Sequence, residues 1–298
     1  MARRVSIGVI AALLLLSGFP AIGAVQAAPI AWVEPPSGPP GTTFNIYVSG
    51  IPAYARLTCR VSGPDGRQIG LGPCLGEANG RGGLVTRFIT GEGYIAGGTY
   101  TVNFYDEAGA FVIGTTFDVV LPEQRCFAET GQCMQGRFLR YWYARGALPF
   151  NGYPLSGEFM ERLDDGREYR VQYFERVRME YHPENNPPFD VLLGQFGRSI
   201  HPADPPVPQK GNGLYFPQTG HNVEGAFRNF LGGVNEVGLG VEYFGYPISE
   251  AFTERLEDGN IYTVQYFERA RLEVHPEIGP GAVLLGQFGR RVLGEARR

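Results

Sequence analysis

The chain is 298 residues long, with 26 basic and 30 acidic side chains and a formal net charge of -4. A mildly acidic chain fits nucleic acid poorly, because the phosphate backbone calls for a basic face. Beyond the N-terminal segment, no stretch reaches the ~20 apolar residues that a membrane-spanning helix needs.

Met1-Ala2-Arg3-Arg4 leads into an apolar run from Val5 to about Phe19, then a small-residue stretch, Ala21 to Ala28. A charged start, a short apolar centre and a small-residue exit predict a secretory signal peptide over 1–27. Val25-Gln26-Ala27 fits the small-x-small cleavage pattern, placing the cut after Ala27, with Ala28 as the alternative. An uncleaved anchor is the other reading of this segment, and its apolar run is short for a span. The expected location is extracellular: secreted or associated with the cell wall. No Cys lies directly after the apolar run, which argues against a lipoprotein. Lys210 is the only lysine, and with abundant Gly and Pro this usage suggests a GC-rich bacterial genome.

From residue 28 to 121 the chain alternates apolar and polar residues in short runs. Phe44, Ile46 and Val48 alternate, as do Leu57, Cys59 and Val61, then Tyr100, Val102 and Phe104; Phe117, Val119 and Leu121 read as a last strand. Period two is the strand signature. Turn-forming Gly and Pro separate the runs, at Pro35–Gly41, Gly63-Pro64-Asp65-Gly66 and Ala96-Gly97-Gly98. Short strands divided by turns predict an all-β sandwich. The run Pro36–Gly41 with TFNIYVSG, GPDG and GGTYTVNFYD resembles bacterial immunoglobulin-like domains of secreted proteins. That resemblance implies a spacer or binding module. Trp32 is read either as packing on the sandwich or as a ligand-stacking aromatic.

The four cysteines, Cys59, Cys74, Cys126 and Cys133, form two sequence-local pairs. In an exported chain these read as disulfides, Cys59–Cys74 and Cys126–Cys133. The spacings lack the short Cys-x2-4-Cys knuckle of a zinc site, so no metal is expected.

The rest of the chain is duplicated, a property to look for before any other fold assignment. Phe127 aligns with Phe216, Gly152 with Gly245 and His182 with His275. One copy reads GYPLSGEFMERLDDGREYRVQYFERVRMEYHPE, the other GYPISEAFTERLEDGNIYTVQYFERARLEVHPE, and both close on VLLGQFGR. The first repeat is placed at 122–198 and the second at 214–298. Between them, 199–213 carries Pro202, Pro205, Pro206 and Pro208 and reads as a semi-stiff linker. Met134, Phe138, Tyr141 and Trp142, and likewise Val223, Phe227, Phe230 and Leu231, mark one face of a short amphipathic helix. Asn222 is expected as the second helix's N-cap. Asp165-Gly166 and Asp258-Gly259 mark turns. A single strand through VQYFER would put Glu175 on the apolar face. A hairpin turning near Phe174–Val177 avoids this, with a bulge as the alternative. Each unit is then a helix plus a β-hairpin, small enough to need its neighbour. The fold class is mainly β: an immunoglobulin-like sandwich followed by two tandem α+β repeats.

The order helix, Gly-Tyr-Pro-x-Ser, acidic-Gly turn, Gln-x-Phe-Glu and strand ending in His-Pro resembles the LGFP repeat of bacterial cell-wall-associated proteins, most closely at Phe244-Gly245-Tyr246-Pro247-Ile248-Ser249. The resemblance covers both copies, about half the chain, and implies anchoring to wall polysaccharide. The family usually has Gly where this chain has Arg176-Val177 and Arg269-Ala270, and more copies.

VQYFER, at Val171–Arg176 and Val264–Arg269, has two readings. In one, its apolar residues pack the hairpin while Glu and Arg are solvated or paired. In the other, Tyr173, Phe174 and Arg176, with Tyr266, Phe267 and Arg269, form two sugar-binding platforms that act by avidity. His182 and His275, with Glu180 and Glu273, have the composition of a metal or acid–base pair, or of strand-end histidines bonded locally. No GxSxG elbow, HExxH or phosphate loop occurs. Glu158, Glu161, Asp164 and Asp165 flank a turn, a poor setting for a glycosidase pair. A catalytic set built within one copy should appear in both, which is ordinary for a binding module and unusual for an enzyme. The expected protein is therefore non-catalytic and cofactor-free, and binds cell-wall or surface polysaccharide. The alternative is a structural scaffold or a module for a protein partner at the envelope.

Overall fold

The computed structural model describes residues 28–69, 74–91, 95–211, 213–236 and 240–296. The signal peptide expected at 1–27 lies outside them. The fold is mainly β. The first region pairs β1 (Ile30–Glu34), β3 (Thr43–Ser49) and β6 (Leu84–Ile89) in one sheet. A second sheet runs β2 (Ser37–Gly38), β8 (Phe111–Val119), β7 (Gly98–Tyr105), β4 (Arg56–Ser62), β5 (Cys74–Glu77). The alternation read from sequence is the burial pattern: Phe44, Ile46 and Val48, Leu57, Cys59 and Val61, and Tyr100, Val102 and Phe104 all face one core. Phe44 stacks on Phe117 across the sheets at 4.2 Å between ring centres. Leu121, expected in the last strand, lies past β8 and packs against both the sandwich core and the core that follows.

Each repeat opens with a small hairpin: β9 (Gln124–Phe127) with β10 (Gln132–Gln135), and β15 (Leu214–Phe216) with β16 (His221–Val223). Next come helices α1 (Gly136–Ala144) and α2 (Ala147–Asn151) in the first copy. Their counterparts are α4 (Gly225–Glu236) and α5 (Val241–Phe244). A four-stranded antiparallel sheet follows in each. It is built from β11 (Phe159–Arg162), β12 (Glu168–Tyr173), β13 (Arg178–Tyr181) and β14 (Val191–Leu193), and from β17 (Phe252–Arg255), β18 (Ile261–Tyr266), β19 (Arg271–Val274) and β20 (Val283–Leu285). The hairpin reading holds: Tyr173 pairs with Arg178, and Phe174 N–H donates to Val177 O at 2.8 Å. The expected hairpin is the centre of a wider sheet, whose outer strands carried too few alternating residues to be seen. The Cys126–Cys133 disulfide closes β9 onto β10. Cys59 is disulfide-bonded and sits directly opposite Cys74 in the register of β4 and β5, but the Cys74 side chain lies outside the described residues.

Closing helices α3 (Phe196–Ile200) and α6 (Gly289–Ala296) are exchanged between the repeats. α3 belongs to the first copy by sequence, yet Arg198 N–H donates to Glu268 O at 3.1 Å and its guanidinium pairs with Glu268 at 2.7 Å. Reciprocally, Gly289 N–H of α6 donates to Glu175 O at 2.9 Å. Phe196 is buried with Ile248, Val264 and Tyr266, while a second core joins Phe150 to Phe230, Tyr243 and Phe244. The two repeats thus share their cores in one body with an internal two-fold relation, as each copy's small size predicts. The boundary read at 198 falls inside α3. The Pro-rich stretch is not a free spacer. Asp204 N–H donates to Ile248 O at 2.8 Å, Val207 N–H to Gly220 O at 2.8 Å, and His201 stacks on Tyr266 at 4.4 Å. Asn222 does not cap α4. It lies in β16, where its Oδ1 accepts from Lys210 N–H at 2.8 Å and its Nδ2 donates to Pro208 O at 3.1 Å.

Candidate functional site

VQYFER is the hub of each repeat. Tyr173, Phe174 and Phe267 are 0% exposed and Tyr266 is 1% exposed. A stacking platform needs an exposed ring face, so this geometry corrects the platform reading of Tyr173, Phe174, Tyr266 and Phe267. The remaining groups tie the hub to Gly-Tyr-Pro-x-Ser. Gln172 Nε2 donates to Cys133 O and Ser156 O, both at 2.8 Å; Gln265 does the same to Asn222 O and Ser249 O at 2.7 and 2.9 Å. Tyr173 N–H donates to Ser156 Oγ at 3.1 Å and Tyr266 N–H to Ser249 Oγ at 2.9 Å. Glu175 accepts from Tyr153 N–H at 3.2 Å, and Glu268 from Tyr246 N–H at 3.1 Å. Gly152 and Gly245 have φ of 77° and 76°, and a Cβ there would lie 2.7 and 2.6 Å from the Cβ of Glu175 and Glu268. Only glycine fits that turn and that approach. Arg176 Nη1 donates to Leu148 O at 3.1 Å, whereas Arg269 Nε crosses to Leu193 O of the first copy at 3.3 Å. Both arginines are half-buried and hold helices and strands together.

The histidines also sit in repeated networks. The His182 ring packs at a tilt on Tyr169, 4.2 Å between centres, and reaches Glu184 at 3.0 Å and Glu180 at 3.3 Å. The His275 ring packs likewise on Tyr262, 4.3 Å between centres, and reaches Glu277 at 2.7 Å and Glu273 at 3.1 Å. Burial pushes the His275 imidazole down, but the hydrogen bonds that Glu273 and Glu277 accept from it outweigh that, and its pKa stands above the usual value. Behind it Arg271 is buried between Glu273 and Glu257, at 2.8 and 2.9 Å, with the Tyr266 hydroxyl at 3.2 Å. Burial disfavours that charge, and these partners more than restore it, so the guanidinium is held well above its usual range. Burial likewise pushes the Tyr173 hydroxyl up to about 12. Among the described residues no group of three or more His, Cys, Asp or Glu side chains is gathered to hold a metal ion.

An open concavity lined by charged side chains lies elsewhere, on the first repeat. A groove of about 380 Å³ runs between the start of α1 and the sheet face of β12 and β13. Arg137 and Arg140 of α1, Arg170 of β12, Tyr181 of β13, and Glu158 and Glu123 line it. Arg170 and Tyr181 are direct cross-strand neighbours. The Arg137 guanidinium lies over the Tyr181 ring at 4.8 Å and is ion-paired to buried Asp190, which fixes its orientation. Arg170 stands 3.8 Å from Glu158, beyond hydrogen-bond reach. Burial raises the Glu158 carboxyl, against the lowering pull of Arg170.

The second copy lacks this lining. Arg137 corresponds to Ala226, Arg140 to Asn229, Glu158 to Ala251, Arg170 to Thr263, Tyr181 to Val274 and Asp190 to Ala282. The backbones are equivalent, since Thr263 pairs with Val274 as Arg170 pairs with Tyr181. Likewise His275 N–H donates to Ala282 O as His182 N–H does to Asp190 O, both at 2.9 Å. Sequence reasoning noted Glu158 only as a turn-flanking acid and missed the others because it followed what repeats. The signal was in what differs between the copies.

No family model matches the chain, and no curated protein matches it. Among solved structures it is similar to macromomycin, at 10% identity over 32% of this chain and 100% of that one, with a TM-score of 0.25. It is also similar to the PKD domain of an M14-like peptidase from Thermoplasmatales archaeon SCGC AB-540-F20, at 22% identity over 32% of this chain and 93% of that one, with a TM-score of 0.22.

Proposed function

We propose that the chain is an exported, non-catalytic envelope protein that binds cell-wall or surface glycan through the groove of its first repeat. The observation that carries this reading is the contrast between the copies. The hub and the buried networks are kept in both, as folding requires. The arginines, the glutamate and the tyrosine of the groove occur only in the first. A concave surface with polar groups and an aromatic ring is the form a saccharide site takes. The LGFP-like order of motifs points to the same ligand class.

The test is co-sedimentation of the full chain, with signal peptide removed, with insoluble wall from a GC-rich bacterium. Arg137→Ala plus Arg170→Thr, the residues the second copy carries, serves as the variant. Binding that periodate treatment of the wall abolishes and the variant lacks supports the reading; equal sedimentation of both proteins refutes the groove as the site. The alternative, a protein-interaction or scaffold module, draws on the outer face of the three-stranded sheet. There Trp32, Tyr47 and Val85 stand in register, and Trp32 and Val85 are 39% and 59% exposed. Binding lost when the wall is protease-treated, and kept after periodate, supports that alternative.

A further inference from the structure

The charges of the groove narrow the ligand further. Three guanidinium groups and two carboxylates line it, in a chain whose formal net charge is -4, so the arginines are not a by-product of a basic composition. Arg137 is committed to Asp190 and Tyr181. Arg170 holds Glu158 only at 3.8 Å, with its side chain 59% exposed, so it has donors to offer. Arg140 is exposed and makes no ion pair among the described residues. Two guanidinium forks facing one concavity are suited to planar or tetrahedral oxyanions, which they bind with paired donors. The uncapped start of α1, at Gln135 and Gly136, opens on the same space and adds to the positive field. The second copy has removed partners together: Arg137 and Asp190 become Ala226 and Ala282, and Arg170 and Glu158 become Thr263 and Ala251. The Arg170–Glu158 pair, with side chains 59% and 25% exposed, contributes little to stability. Its retention on one copy is better explained by a ligand.

We infer that the groove selects an acidic saccharide, whose carboxylate or phosphate is held by Arg140 and Arg170 while a sugar ring lies against Arg137 and Tyr181. This inference rests on the glycan reading above. Glu158 backs Arg170.

The test uses the full chain and three soluble probes: polygalacturonate, its fully methyl-esterified form, and polyglycerol phosphate, with binding followed by calorimetry. At low salt the wild type should bind an acidic probe at least about tenfold more tightly than the esterified polymer, and the preference should shrink as salt screens the charges. Arg140→Asn and Arg170→Thr should each weaken acidic binding about tenfold or more. Both substitutions install residues the second copy already folds with. Preference between polygalacturonate and polyglycerol phosphate distinguishes a uronic acid from a polyol phosphate. Equal binding of charged and esterified polymers overturns the acidic preference and leaves the glycan reading standing. No binding of either acidic probe overturns the inference, and wall sedimentation unaffected by the groove variants overturns the reading beneath it.

Discussion

Replacing Gly289 with alanine puts a methyl group where the first repeat's backbone already is. An ideal Cβ at Gly289 would lie 1.8 Å from the Phe174 carbonyl oxygen and 2.8 Å from its carbon. Non-bonded heavy atoms settle near 3.5 Å, so the start of α6 must lift by roughly 1.5 Å. The lift breaks the 2.9 Å bond from Gly289 N–H to Glu175 O and loosens Phe288, which is 2% exposed. One buried hydrogen bond at about 1 kcal/mol, plus overpacking of about 1–3 kcal/mol, predicts a loss of about 2–4 kcal/mol. Gly197→Ala should act alike, since its Cβ would lie 1.7 Å from Phe267 O. Gly294→Ala is the control. It lies on the same helix with nothing within 4 Å of the added carbon, so helix propensity alone applies, favouring alanine by up to about 1 kcal/mol. Urea unfolding of the three variants by circular dichroism decides the matter. If Gly289→Ala is as stable as Gly294→Ala, α6 is not seated on the other repeat and the exchanged arrangement is wrong.

Two further outcomes follow from the same structure. Cys126→Ala with Cys133→Ala should cost about 2 kcal/mol by loop entropy yet leave a folded protein, because the equivalent β15–β16 hairpin pairs Tyr215 with Asn222 and has no disulfide. Calorimetry of the double variant checks this, and failure to fold would mean that the staple does more than close its loop. The His275 pKa is raised in the folded state, so its contribution to stability is full below the unfolded value of about 6.5 and is lost as pH rises through the folded value. Stability of the wild type should therefore fall, as pH rises from about 6.5, by more than that of His275→Gln. Identical pH profiles of urea midpoints for the two proteins would remove His275 from the account.

Much of the fold was legible because burial imposes a period on the sequence. Phe44, Ile46 and Val48 could be assigned one face from their spacing alone. The turn inside VQYFER followed from a single misplaced charge, since Glu175 could not share a face with Tyr173. The exchange of α3 and α6 was not legible. Its determinants, Gly197 and Gly289, are small residues whose role is to leave room for a carbonyl from the other copy. Nothing local to their sequence announces that neighbour. The Asn222 assignment failed for a related reason. A side chain with helix-capping chemistry serves equally well to hold an extended strap, and Lys210 and Pro208 lie distant enough in sequence to be invisible. The groove was missed because its residues come from α1, β12 and β13, which meet only in three dimensions.

Exchange also changes what duplication can mean for binding. Two sites on a flexible linker could add by avidity, provided each is complete and both can engage. Here the linker is strapped along the second repeat and the cores are shared, so the relative placement of the copies is fixed by packing. Once each copy needs the other to fold, the buried hub must persist in both. The surface over α1 and its counterpart α4 is under no such demand. A groove can then specialise on one side while the other keeps only the scaffold. The pattern found is of that kind: Tyr173 and Tyr266 are both buried and both bonded to a serine hydroxyl, while Arg170 faces a groove and Thr263 does not recreate it. A variant combining Ala226→Arg, Asn229→Arg, Thr263→Arg, Val274→Tyr and Ala282→Asp should gain acidic-saccharide binding on the second repeat. Its failure to gain any would show that those side chains alone do not make the site.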